Sequence, residues 1–185
     1  MRKRTTAYVL ACLIVSVAAG HNIPTVRSQS SSSPVSVGRI VATTVDDMDI
    51  FDPTPPADIK VSLLQVRRAV DAWDLISKAS AENKPPKAGF DYVLALIKLE
   101  YNARGGTPRG KAYELNADEF TAASPEGNWY DTPSIVLPKP TLKTKLISGE
   151  SSEGWAAFLV PREDKNPRLF FRRGNVWFQL YNSNQ

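Results

Sequence analysis

The sequence predicts a mainly β chain, an antiparallel sandwich carrying one inserted amphipathic helix. Three observations lead there. Apolar and polar residues alternate with period two in at least seven short runs, the number a sandwich needs. Turn signals such as Pro125-Glu126-Gly127-Asn128 and Ser148-Gly149-Glu150 separate those runs. The 14 prolines lie mainly in linkers and between apolar runs, which suits turns rather than long helices.

Each element follows from its own pattern. Ile59, Val61 and Leu63 alternate with Lys60 and Ser62, a strand. At Leu63 and Leu64 the phase slips, which predicts a bulge or the end of that strand. Ala72, Trp73, Ile76, Ala79 and Ser80 recur at helical spacing, so a helix is expected over 71–83. Asp71 is placed to cap it, and Asp74 stands four residues before Lys78. Lys84 precedes Pro85 and Pro86 and resists the helical region, which ends it. Trp73 is expected to pack on a sheet face.

The strongest strand runs from Asp91 to Tyr101. Val93, Ala95, Ile97, Leu99 and Tyr101 line one face. The other is apolar at Tyr92, Leu94 and Leu96 and charged at Lys98 and Glu100, as in a central strand half covered by another element. Tyr113, Leu115 and Ala117 suggest a strand that Phe120 and Thr121 continue, with pairing resumed at Trp129 and Tyr130 after a turn. Leu142, Thr144 and Leu146 alternate with lysines, and a turn then leads into a strand from Trp155 to Val160. Two last runs close as a hairpin around Gly174 and Asn175.

The N-terminus reads as a targeting segment. Arg2, Lys3 and Arg4 precede an uncharged apolar run at 7–20, which is short against the ~20 residues of a membrane span. Its small residues place signal-peptide cleavage near Ala19 or Gly20. An uncleaved anchor and a lipoprotein processed at Cys12 are the alternatives. Residues 21–36, with four consecutive serines, read as a flexible linker, and 37–185 as one domain. The chain has 185 residues, 23 Lys and Arg, 19 Asp and Glu, and a net charge of +4. Loss of the first three cations leaves 20 against 19, or +1. The basic character thus belongs mostly to the targeting segment, not to a nucleic-acid-binding stripe.

Composition removes whole chemistries. The one Cys, Cys12, and the one His, His21, stand near the N-terminus. Residues 22–185 therefore supply no Cys-rich zinc site, no disulfide framework and no His-dependent nucleophile. The G-x-x-x-x-G-K match at 105–111 is followed by Ala112, not by the Ser or Thr that holds magnesium, and reads as a basic loop. Asp46, Asp47, Asp49 and Asp52 are weak calcium candidates whose spacing does not fit an EF-hand loop; a solvated acidic loop is the expectation. Asp118, Glu119, Glu150 and Glu153 are carboxylates that a His-free hydrolase would need in pairs. In the last strand Val176, Phe178 and Leu180 face the core, which turns Trp177, Gln179 and Tyr181 outward. Trp177, Tyr181 and Trp155 form the candidate binding surface, for stacking on a sugar or gripping a peptide. The competing expectation is that the helix with Trp73, or a neighbouring loop, covers that row.

The segments IKVSLLQVRR, AWDLISKASAENKPPKAGFDYVLALIKLEY, YELNADEF, LISGESSEGWAAFLVP and RLFFRRGNVWFQLY carry a resemblance. From about Ile59 to Tyr181 the chain resembles the bacterial secreted and lipoprotein family catalogued as domain of unknown function 4352. The resemblance implies an immunoglobulin-like β-sandwich outside the cytoplasm and no catalytic residues. Many members look like lipoproteins, whereas Cys12 lies early in the apolar run. The expected function is a non-catalytic binding or interaction module of the bacterial surface or secretome, without a cofactor. Its partner would be an extracellular protein or a glycan, not nucleic acid, with membrane contact only through a retained segment or a lipidated Cys12. The alternatives are an anchored structural accessory of the envelope and the carboxylate-pair hydrolase.

Overall fold

Period-two alternation gives each strand one face to bury, and the chain buries these faces between two antiparallel sheets. A computed structural model of the chain describes residues 30–47, 54–105, 112–115 and 119–181. β1 (Ile40–Asp47), β2 (Thr54–Arg68), β3 (Phe90–Ala103) and β7 (Ser151–Pro161) form a four-stranded sheet in the order β1-β2-β3-β7. β5 (Phe120–Ala123), β8 (Arg168–Phe171) and β9 (Val176–Gln179) form the opposing three-stranded sheet. β4 (Tyr113–Glu114) and β6 (Lys145–Leu146) pair as a small ribbon. Every pairing between these strands is antiparallel. The fold is mainly β, a sandwich of two antiparallel sheets.

The main core lies between the sheets. Ile59, Val61, Leu63, Ile97, Leu99 and Phe158 of one sheet meet Ala122, Leu169, Phe171 and Phe178 of the other. The slip at Leu63 and Leu64 is a bulge: the register between β2 and β3 shifts between Leu63 and Gln65, and Leu64 is 36% exposed. The strand then continues to Arg68 with its alternation restored, so Val66 rejoins the core.

The second face of β3 is covered as its composition requires. Helix α1 (Val70–Ala79) lays Ala72 and Ile76 on Tyr92 and Leu94, and Trp73 stacks on Tyr92 at 6.2 Å between ring centroids. The helix is shorter than the expected 71–83. Ser80 is already extended, and the Asn83 side-chain amide turns back to donate to the Ile76 carbonyl at 2.7 Å. Asp71 is not the cap: Ala69 holds that position without a side-chain bond, and Asp71 sits in the first turn, 4.0 Å from Arg67.

Packing also begins earlier than the expected boundary at residue 37. Val35 is buried and pairs with Phe178 along the open edge of β9. Its amide donates to the Trp177 carbonyl and its carbonyl accepts from Gln179, both at 2.8 Å. An isolated apolar residue at the end of a Ser-rich stretch is thus part of the core. Cys12, Ala19, Gly20, His21 and most of the 105–111 loop lie outside the described residues. Among the described residues no helix is long and apolar enough to cross a membrane.

Candidate functional site: an aromatic face on the three-stranded sheet

Register fixes what the outer face of the smaller sheet carries. Phe120, Ala122, Leu169, Phe171, Val176 and Phe178 point into the core. Their neighbours in sequence must point out. Two outward rows result: Thr121, Phe170 and Trp177, then Ala123, Arg168 and Gln179. The 124–128 turn adds one more residue. Ser124 accepts from Gly127 and donates to Asn128, Gly127 adopts φ 94, and the chain returns so that Trp129 pairs with Ala123.

Ala123 is small enough for the Trp129 ring to lie across β5 and reach the aromatic row. Phe170 and Trp177 stand 4.4 Å apart between centroids, and Trp129 is 5.8 Å from each. Aromatic pairs at these separations gain roughly 0.5–1.5 kcal/mol beyond their burial. Trp129 remains 58% exposed, a large apolar ring held in place yet open to solvent. Half-buried Thr121, Arg168 and Gln179 put polar groups around the cluster.

The sequence-predicted residues therefore separate. Trp177 belongs to this face, and half-buried Tyr181 follows at the end of the same strand direction. Trp155 does not belong to it: it is 7% exposed and packs with Tyr92, Leu94 and Ala157 on the opposite sheet. The helix with Trp73 does not cover Trp177, because α1 sits on the other sheet. What lies over the row is Trp129, which the sequence reading placed in a strand but not at a site. The signal available was its turn: a four-residue reversal followed by Trp and Tyr brings an aromatic back beside β5.

The carboxylates are held for structural ends. Glu119 is fully buried. It accepts from the Tyr113 hydroxyl at 2.6 Å and pairs with Arg173 at 3.2 Å. Burial, and then the carboxylate beside it, push the Tyr113 phenol far above its usual range. Glu150 accepts from the Ile147 amide at 3.1 Å, a bond that lowers its pKa, and meets Lys143 at 3.4 Å. Glu153 is exposed on β7, and Asp118 lies outside the described residues. Asp46 and Asp47 end β1, whereas Asp49 and Asp52 lie outside the described residues. Among the described residues no three His, Cys, Asp or Glu side chains gather as metal ligands would.

Two arginines converge on Asp91. Arg68 bonds one of its oxygens at 3.1 Å and Arg162 the other at 3.0 Å. Arg68 also donates to the carbonyls of Asp164 and Pro161, which ties the 162–166 turn to the end of β2.

No family model matches the chain, and no curated relative matches it. The fold is similar to three solved structures. One is the secreted protein MPT63 of Mycobacterium tuberculosis, 10% identical over 80% of this chain and 98% of that one, with a TM-score of 0.48. Another is ycdA of Bacillus subtilis, a candidate lipoprotein, 13% identical over 69% of this chain and 37% of that one, with a TM-score of 0.46. A Listeria monocytogenes protein of unknown function is 13% identical over 76% of this chain, with a TM-score of 0.29.

Proposed function

We propose that this chain is a non-catalytic binding module that works outside the cytoplasm and contacts a glycan through its Trp129–Trp177–Phe170 face. The observation that carries the proposal is the exposed Trp129 stacked on an ordered aromatic pair. A solvent-facing tryptophan in a fixed orientation stabilises nothing by being exposed, but it offers a flat surface to the C–H face of a sugar ring. Arg168, Gln179 and Thr121 supply hydrogen-bonding groups beside it, which a sugar's hydroxyls need. The extracytoplasmic location rests on the basic and apolar N-terminal pattern of residues 2–20. Membership in the domain family named above belongs to the same proposal.

The absence of catalysis is supported by the way the acids are used. Glu119 and Asp91 are each neutralised by arginine, and Glu119 is closed to solvent. A glycan array probed with the full chain tests the proposal. The expected result is selective retention that falls at least tenfold in Trp129→Ala while the Tm stays near that of wild type. Equal retention by wild type and variant would remove the aromatic face from the function. Intact-mass measurement on the native protein tests location, with cleavage after Ala19 or Gly20 as the expected result.

A further inference from the structure

The second candidate lies away from the aromatic face, at the outer edge of β7. Residues 131–144 run beside this edge as a strap. The Leu159 amide donates to the Asp131 carbonyl at 3.0 Å, and the Trp155 amide to the Pro140 carbonyl at 3.1 Å. Between these anchors Ile135 and Leu137 pack against the second core. Beside the strap lies a half-open cavity of about 260 Å³. Phe120, Leu137, Leu142, Trp155, Ala157 and Phe158 line it.

The backbone of the cavity wall is unfinished. N–H and C=O of one residue share a side of an antiparallel strand, and alternate residues repeat it. Because the Trp155 and Leu159 amides point off the outer edge, so do the amide and carbonyl of Ala157. Trp155 and Leu159 find partners in the strap; Ala157, which is 4% exposed, finds none there among the described residues. Buried backbone groups are ordinarily paired, so an apolar cavity bordered by one unpaired donor and one unpaired acceptor suits a ligand that supplies the partners.

We infer that this cavity binds a small neutral molecule, a single apolar ring or short chain bearing one hydroxyl group. Size, polarity and charge each follow from the site. A dry cavity of 150 Å³ takes benzene, so this one accommodates about ten non-hydrogen atoms. The lining requires a mostly apolar body. A hydroxyl both accepts from the Ala157 amide and donates to its carbonyl, whereas a carboxylate would face that carbonyl with like charge. Thr132, Thr141 and Thr144 are also among the lining residues, so the cavity wall is not wholly apolar.

The test uses the full chain, labelled with ¹⁵N, and 4-propylphenol as the probe. The expected result is saturable one-to-one binding that shifts the Ala157 amide and Trp155 indole signals. Propylbenzene, which lacks the hydroxyl, is expected to bind about tenfold more weakly, since it leaves the Ala157 groups unpaired. Leu137→Trp, which fills the cavity from the strap, should abolish the shifts. Equal affinity for the two probes would overturn the assigned polar contact without needing any variant. No saturable binding, or shifts confined to Trp129 and Trp177, would overturn the site itself.

Discussion

Gly154→Ala measures how tightly the strap is fastened to the sheet. A Cβ on Gly154 would run into the Leu142 amide nitrogen and the Thr141 carbonyl carbon, both backbone atoms, and would stand 2.8 Å from the Leu142 Cα. Ordinary contact begins at 3.4 Å, so the backbone at 141–142 must withdraw by more than half an ångström. Two hydrogen bonds flank that crossing: the Trp155 amide to the Pro140 carbonyl at 3.1 Å, and the Lys143 amide to the Ser152 hydroxyl at 2.7 Å. Losing or stretching both costs about 1 kcal/mol each. Drawing Leu142 partly out of the core costs about another 1 kcal/mol. The expected destabilisation is about 2–4 kcal/mol, a large part of the ~5–15 kcal/mol that holds a domain folded. Urea denaturation should show a midpoint lowered by about 1–2 M at an unchanged slope. Gly105→Ala is the control, since nothing lies within 4 Å of its added Cβ. A Gly154→Ala midpoint within ~0.3 M of wild type would refute the close crossing and, with it, the strap as drawn.

Four further outcomes follow from named contacts. Arg173→Ala removes the arginine that meets the buried Glu119 carboxylate and should destabilise by about 3–5 kcal/mol in thermal or chemical denaturation, with partial recovery when Glu119→Gln is added. Ala69, at φ 53, occupies a region that a β-carbon disfavours, so Ala69→Gly should raise the Tm; a lowered Tm would deny the strain. The hydrogen bond from Arg104 holds the Asp58 carboxyl below its usual pKa, so NMR titration should find that pKa rising in Arg104→Ala. A depressed folded pKa contributes stability above the unfolded value that is lost as pH falls through the folded one; Arg104→Ala should therefore flatten the stability profile on the acid side of about pH 4.

Much of the fold could be read locally, and its limits are equally local. The phase slip at Leu63 and Leu64 is visible because alternation is a property of neighbours, and the bulge lies where it breaks. The mixed second face of β3 announced a covering element, and α1 covers its apolar half. The helix end was misplaced because Asn83, beyond the last turn, reaches back to a helical carbonyl and also accepts from the Val136 amide at 2.8 Å. That contact spans 53 residues and leaves no mark in the local pattern. Trp155 was misplaced for the same reason. Its alternation gives it a face but does not say that residues 135–137 return to cover that face. Trp177 was read as outward from three neighbours, whereas Trp129 joins it only through the register of β5 and β8. Val35 shows the reverse error: composition marked its surroundings as linker, although one buried side chain and two hydrogen bonds tie it to β9.

The outer face of the three-stranded sheet is the surface through which we propose that this protein meets its ligand. The most direct measurement is calorimetric titration with the best oligosaccharide from the array against wild type, Trp129→Ala, Trp177→Ala and Trp155→Phe. Affinity is expected to fall at least tenfold in the first two variants, whose rings meet at 5.8 Å, and to be retained in the third, whose ring lies on the opposite sheet. Undiminished affinity in Trp129→Ala and Trp177→Ala would contradict the proposal.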